Sequence, residues 1–347
     1  MKVAIAGASG YTGVELFKVL QQYEDVEINQ ITSRTYQGKT LKEVFPFFIK
    51  SRYQDLVFKN NFELENSDIY FLCLPHEPSI ELVYNLYKKG KKIIDLSAAY
   101  RIKNLSAYPE YYGFNHSHPE ILEKAVYGLP EIFREEIKSA EIIANPGCYP
   151  TATLLGLYPL IREKLNTENS IVVNAMSGIS GAGRKLKEDF HFPEAFGNAY
   201  AYSPKNHRHI PEMEDVIEVF SGQKVKIRFT PHILPVSRGM ISSISVKTDI
   251  NEKDLKELYF EYYKNEPFIR LVETPSKIKN VSGTNFCDIF VSKDERTGFT
   301  IIISVIDNLG KGASLQAVQN FNLLIGKKET ENLLNFPVWP WFSNFKI

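Results

Sequence analysis

The sequence predicts an α/β chain in two parts: a doubly wound parallel sheet, then an α+β domain built on an extended sheet. Three observations predict it. Short apolar runs alternate with helical patterns through the first half, a glycine-rich turn joins the first run to the first helix, and longer strand-like runs take over in the second half. The 347 residues suffice for two domains, and a hydrophobic content of 44% suits two cores.

Val3-Ala4-Ile5-Ala6 reads as a buried strand. Gly7-Ala8-Ser9-Gly10-Tyr11-Thr12-Gly13 follows, and a helix over 14–22 carries Leu16, Val19 and Leu20 on one face. In that order the turn lets backbone N–H groups approach a pyrophosphate at the helix N-terminus. The spacing is G-x-x-G-x-x-G rather than G-x-G-x-x-G, and it is its place between strand and helix that favours a dinucleotide over an empty turn. The next strand, 27–32, ends in Ser33-Arg34, where a site for NAD usually carries an acidic residue. A hydroxyl and a guanidinium suit a 2′-phosphate, hence NADP(H); the alternative is that Arg34 is a solvated loop residue. Runs at 68–74 and 92–97, separated by a helix over 79–89, continue the alternation. They put Pro75 and Ser97 at C-terminal strand ends, where such sheets bind ligands, and leave Cys73 in the core.

The run Ile142-Ile143-Ala144 leads into Asn145-Pro146-Gly147-Cys148-Tyr149-Pro150 and a helix over 151–162. A thiol at a helix N-terminus favours the thiolate, which attacks acyl carbons well; the alternative is a small buried hydrophobe. A strand over 170–175 runs into Ser177–Lys185, small residues ahead of two cations, which is either an anion cradle or a flexible loop. His207-Arg208-His209 follows Tyr202. Histidines at i and i+2 share a face only in an extended segment, and no Cys or His cluster completes a metal site, so proton transfer is favoured and no metal is expected. Strand-like runs around 230–246, 288–291 and 300–306 make an extended sheet of the kind that supplies subunit interfaces, with Cys287 structural. Gly310-Lys311-Gly312 is too short for a P-loop, a helix over 315–325 follows it, and the aromatic tail 336–342 is expected to pack on the body.

Lys+Arg and Asp+Glu both total 41, which argues against a general nucleic-acid binder or a polybasic membrane-surface protein. Three cysteines do not pair evenly and form no metal knuckle, so the reading is a reduced, cytoplasmic interior. No apolar run approaches the ~20 residues of a membrane span, and a strand entered directly after Met1 leaves no room for a signal peptide.

These segments closely resemble the N-acetyl-γ-glutamyl-phosphate reductase family. The matches are Gly7–Gly13, Leu74-Pro75-His76, Ile94–Ala98 with Tyr100-Arg101, Tyr127–Glu131, Asn145–Ala152 and Ser177–Arg184, followed by His207-Arg208-His209 with Pro211-Glu212, Pro231-His232 with Arg238-Gly239, and Asn308–Gly312. They run in one order along nearly the whole chain. The resemblance implies a fold like that of the aspartate-semialdehyde and glyceraldehyde-3-phosphate dehydrogenases. A Rossmann cofactor domain would take residues 1–147 and 313–347, and a catalytic and oligomerisation domain residues 148–312, assembled as a homodimer or homotetramer. It implies Cys148 as nucleophile, His207 as general acid/base, and His209, Glu212, Ser177, Tyr202 and Arg184 as substrate contacts. Gly7, Ser9, Gly10, Tyr11, Thr12 and Gly13 would form the cofactor loop, with Asn308 near the nicotinamide. The implied reaction is NADPH-dependent reductive dephosphorylation of N-acetyl-γ-glutamyl phosphate to N-acetylglutamate 5-semialdehyde through a Cys thioester, in arginine biosynthesis. The acyl phosphate and phosphate are the implied small-molecule partners. Glu77 and Leu315 depart from the family pattern, each standing where glycine is usual. Competing readings are an N-acetylaminoadipyl-phosphate or carrier-linked reductase of lysine biosynthesis, an aspartate-semialdehyde dehydrogenase, and a non-catalytic NADP-binding sensor.

Overall fold

The computed structural model describes residues 1–337. The chain divides into two compact units. The first comprises Met1–Tyr108, Phe114–Pro146 and Ala313–Leu333; the second comprises Pro109–Gly113, Gly147–Gly312 and the described residues from Leu334. Among the described residues no helix is long and apolar enough to cross a membrane.

The first unit begins β1 (Lys2–Ala6), α1 (Tyr11–Leu20), β2 (Glu27–Thr32), α2 (Leu41–Val44), β3 (Phe58–Lys59) and β4 (Ile69–Leu72). It continues α3 (His76–Lys88), β5 (Lys92–Asp95), β6 (Ala125–Tyr127), α4 (Pro130–Ser139) and β7 (Ile142–Ala144). The strands form one sheet in the order β3-β2-β1-β4-β5-β7-β6, and every neighbouring pair is parallel. Val3, Ala4, Ile5, Phe71, Leu72, Ile93 and Ile94 are all fully buried, as a parallel sheet covered on both faces requires. The order reverses at β1, whose neighbours are β2 and β4, so the C-terminal ends of β1 and β4 flank the crevice where doubly wound sheets take ligands. Gly7 and Pro75 lie at those ends. Two helices begin earlier than their periodicity predicts: α1 starts inside the glycine motif, and α3 starts directly after Pro75.

The second unit runs α5 (Cys148–Arg162), β8 (Asn166–Gly178), α6 (Phe192–Ala195), β9 (Tyr200–Ala201), α7 (His209–Ser221) and β10 (Lys226–Leu234). It goes on with β11 (Met240–Thr248), α8 (Glu252–Tyr263), β12 (Ile269–Leu271), β13 (Cys287–Asp294) and β14 (Phe299–Ile306). Its sheet order is β12-β13-β14-β11-β8-β10-β9, mixed because β8–β10 and β12–β13 are parallel and the other pairs antiparallel. Burial alternates along β11, with Met240, Ser242, Ile244 and Val246 buried and Ile241, Ser243, Ser245 and Lys247 half-buried. The buried face packs on α5. Pro159 lies inside α5 and has no N–H to give the Leu155 carbonyl one turn back. The Tyr263 hydroxyl donates to that carbonyl at 2.5 Å, which satisfies it and ties α8 to α5. Cys287 is buried against the Ser304 hydroxyl.

The chain then returns to the first unit as α9 (Leu315–Leu324), whose residues Leu315–Leu323 are all buried. Polar side chains dock it. Gln316 and Asn320 donate to the Gly128 carbonyl at 3.1 and 2.8 Å, and Asn320 also donates to Asn145 Oδ1 at 3.0 Å. Leu315 is accommodated in that packing at 3% exposure.

The unit boundaries differ from the expected 1–147, 148–312 and 313–347 in three places. Gly147 joins the second unit, because its N–H bonds to Glu212 of α7. Pro109–Gly113 also belongs there, where the Tyr112 hydroxyl donates to the Arg208 carbonyl at 2.9 Å. The described residues from Leu334 leave the first unit, and Pro337 lines a surface depression with Arg270 and Val272. Of the aromatic tail, Phe336 is exposed; residues 338–342 lie outside the described residues.

Candidate active site

Gly147 is the N-cap of α5 and Cys148 is its first residue, so the thiol stands where the helix has unbonded N–H groups and partial positive charge. Pro150 sits in the same turn without cost, since its missing N–H would have had no intrahelical partner. The Thr151 hydroxyl and N–H both bond to the Gly147 carbonyl at 2.9 Å. The fully buried Glu212 accepts the Gly147 N–H at 2.8 Å. Glu212, expected to hold substrate, holds the turn that presents Cys148. Cys148 itself is half-buried.

His207 and His209 come together through a turn rather than an extended segment. His209 opens α7 and its N–H donates to His207 Nδ1 at 3.2 Å, with the two rings 4.8 Å apart. The expectation that only extended backbone would pair them was therefore incorrect: a side chain accepting from the backbone two residues on does the same. Tyr149, Tyr202 and Phe229 stand edge-on around His207 at 5.7, 5.5 and 5.2 Å. This cage leaves His207 7% exposed and holds its pKa down to about 4, chiefly by burial, with the Arg208 charge adding to it. A neutral imidazole whose Nδ1 accepts a hydrogen bond carries its proton on Nε2, which makes it a donor. The Tyr202 hydroxyl donates to the Tyr149 hydroxyl at 3.3 Å, and Tyr149 donates to the His232 carbonyl at 3.2 Å. Burial raises the pKa of both, that of Tyr202 to about 12, so both phenols stay protonated.

Ser177 is buried at the end of β8, and its hydroxyl donates to the Gly178 carbonyl at 3.1 Å. Asn308, also buried, accepts the Gly239 N–H at 2.8 Å and donates to the Ser180 hydroxyl at 2.9 Å. Arg184 is exposed in the loop beyond. Among the described residues no group of three or more His, Cys, Asp or Glu side chains is placed to hold a metal ion.

In the first unit the glycine turn is held by its own chain. Gly7 has φ +67°, and a Cβ there would lie 2.3 Å from the Cys73 carbonyl; one at Gly13 would lie 2.6 Å from the Gly7 carbonyl. Gly10 caps α1 with no side-chain bond, and no acidic residue occupies the first turn. A helix N-terminus with no competing carboxylate in its first turn fits a pyrophosphate. The Ser9 and Ser33 hydroxyls are 2.8 Å apart, joining the turn to the end of β2, and the exposed Arg34 comes next. Tyr11 is exposed on α1, while the Thr12 carbonyl accepts the Ser314 hydroxyl at 2.8 Å. Beyond β5 the buried Asp95 accepts the Ser97 hydroxyl and the Ser79 hydroxyl, each at 2.7 Å. Burial raises its pKa against those bonds and the Arg101 charge. His76 Nδ1 accepts the Ala98 N–H at 3.0 Å. Sequence reasoning did not single out Tyr149 beside the two histidines, nor Asp95, Ser79 and His76 at the strand ends of the first unit; the Asp-x-Ser pair after an apolar run was the available signal for Asp95.

Residues 2–140 match the family model "Semialdehyde dehydrogenase, NAD binding domain", and residues 148–308 match "Semialdehyde dehydrogenase, dimerisation domain". A protein of Aquifex aeolicus named N-acetyl-gamma-glutamyl-phosphate reductase is 51% identical over 340 residues, 98% of this chain and 99% of that one. A protein of Halothermothrix orenii with the same name is 45% identical, covering 98% of this chain and 100% of that one. Among solved structures, aspartate semialdehyde dehydrogenase II of Vibrio cholerae, complexed with ASA, superposes with a TM-score of 0.72 at 19% identity, covering 94% of this chain and 98% of that one. The Candida albicans aspartate semialdehyde dehydrogenase with NADP gives 0.67 at 15% identity, covering 93% and 98%. At those identities the structures share the fold.

Proposed function

Since the chain belongs to the N-acetyl-γ-glutamyl-phosphate reductase family and is an oxidoreductase, we propose that it reduces N-acetyl-γ-glutamyl phosphate to N-acetylglutamate 5-semialdehyde with release of phosphate, in arginine biosynthesis. The observation that carries this reading is Cys148 at the start of α5, on a turn fixed by a buried carboxylate. Its thiolate attacks the acyl carbonyl, the bond from carbonyl carbon to phosphate oxygen breaks, phosphate leaves, and a thioester remains on Cys148. NADPH, when bound by the Gly7–Gly13 turn with Ser33 and Arg34, supplies the hydride that reduces the thioester carbon. The resulting oxyanion needs a hydrogen-bond donor, and the neutral His207 offers Nε2–H for it. When that oxyanion collapses, the carbon–sulfur bond breaks, the aldehyde leaves and the thiolate returns. His207 thus takes the donor half of the acid/base role expected of it, because its Nδ1 is occupied. His209 and Glu212 are proposed substrate contacts. Ser177, Tyr202 and Arg184 remain proposed substrate contacts. Of these, Tyr202 also walls in His207. Pro75, Ser97 and Asn308 remain proposed cofactor contacts, Asn308 near the nicotinamide.

We assign NADP over NAD to Ser33 and Arg34, which follow β2 where an acidic residue would reject a 2′-phosphate; Arg34→Ala should lower the NADP/NAD preference, and an unchanged ratio overturns the assignment. The half-buried alternate face of β11 and the match to a dimerisation domain support a homodimer or homotetramer, and the cysteine usage supports a cytoplasmic site. The central experiment is the reverse assay: N-acetylglutamate semialdehyde, phosphate and NADP⁺, watched for NADPH, with the aminoadipate and aspartate semialdehydes beside it. Faster reduction with either of those two refutes the substrate assignment. Cys148→Ser should abolish turnover and retain NADPH binding.

A further inference from the structure

We propose that Asp307 is a positioning residue for acyl transfer: it clamps the Asn308–Gly312 turn against the back of Cys148. The inference rests on Cys148 being the nucleophile. Asp307 follows β14 and is fully buried. Its Oδ1 accepts the Leu309 and Gly310 N–H groups at 2.8 and 3.1 Å. Its Oδ2 accepts Arg238 Nε at 2.9 Å and also the Gly283 N–H. Its own carbonyl accepts the Gly312 N–H at 2.9 Å, closing the turn. One residue thereby gathers the 238–239, 283 and 308–312 segments, and Asn308 extends the set to Ser180.

The turn so held abuts the nucleophile. A Cβ placed on Gly312 would lie 2.8 Å from Cys148 Cβ, 3.3 Å from Cys148 Cα and 3.2 Å from the Asp307 carbonyl. Only a residue without a side chain fits there, and the position of its backbone sets how far the Cys148 side chain can retreat. Every bond to the Asp307 side chain comes from a donor, so an amide in its place turns an NH₂ toward N–H groups or a guanidinium and removes the charge opposite Arg238. Relaxation of the turn displaces the sulfur from its attack geometry, and a misplacement on the order of 1 Å costs roughly 10²-fold.

The test compares wild type, Asp307→Asn and Gly312→Ala. Intact Cys148 sites are counted by stoichiometric iodoacetamide labelling, and the phosphate burst from acyl phosphate without NADPH gives the acylation rate per labelled site. The expected result is a fall of about 10²-fold per site in Asp307→Asn and a fall in the same direction in Gly312→Ala. A merely structural role would lower thermal stability or the number of labelled sites and leave the rate per site alone; that result overturns the proposal. If Asp307→Asn does not fold, Gly312→Ala decides, and an unchanged rate per site there refutes the clamp. Turnover surviving in Cys148→Ser would sink the nucleophile reading and this inference with it. A dead Cys148→Ser beside a normal Asp307→Asn sinks the inference alone.

Discussion

Replacing His207 with asparagine should flatten the acid sensitivity of the second unit. Burial holds the pKa of His207 at about 4 against an ordinary 6.5. The folded-state value is lowered, so as pH falls the unfolded chain takes up the proton first. The stability that comes from keeping the ring neutral is complete above the ordinary value and lost between it and the folded one. The loss is about 2 kcal/mol near pH 5 and about 3 kcal/mol near pH 4. Asparagine keeps an acceptor opposite the His209 N–H, which donates to Nδ1 at 3.2 Å in the wild type, and has nothing to titrate. It also removes packing, so the informative quantity is a double difference. Urea unfolding followed by circular dichroism at pH 7 and pH 5 gives the acid-induced loss for each protein. Wild type should lose about 2 kcal/mol more than the variant. His116, held near 4 by burial in the first unit, contributes equally to both proteins and cancels. Equal losses would refute the buried neutral imidazole, and with it the argument for an Nε2–H donor.

Tyr263→Phe should destabilise the second unit by ~1–3 kcal/mol, because the Leu155 carbonyl has no N–H to turn to at Pro159; an unchanged thermal midpoint refutes that account. Glu212→Leu should slow both turnover and iodoacetamide labelling of Cys148, since the Gly147 N–H loses its acceptor. Glu212→Gln keeps an oxygen in that place and should retain more of each. Equal rates in the two variants would show that the turn does not depend on this bond.

The parts of the fold legible in the sequence were those with local causes. β2 and β7 occupy the residues expected of them, 27–32 and 142–144, and the strand, glycine turn and helix at the start were readable because each signal is contiguous. β3 and β6 were not, because two or three residues carry no periodicity. The helix predicted from Thr151 begins instead at Cys148, since Pro150 reads as a breaker along the chain but sits harmlessly in a first turn. Cys148 and both histidines were visible as residue types. The cage around His207 was not, because Tyr149 and Phe229 reach it from distant segments. Asp307 carried no local signal, because its partners at Gly283 and Arg238 are 24 and 69 residues away. Composition allowed Ser177–Lys185 to be a cradle; the structure buries Ser177 and leaves Arg184 in solvent.

The return of α9 to the first unit has a consequence for biosynthesis. The sheet of that unit is complete once the ribosome has passed Pro146, but Val318, Phe321 and the Gln and Asn side chains that seal it belong to a segment that begins at Ala313. At translation rates of roughly 5–20 residues per second, the gap amounts to about 10–30 s during which an apolar flank stays uncovered. The nascent chain therefore passes through a stage in which its second unit can mature before its first, and holdase chaperones should associate most strongly in that interval.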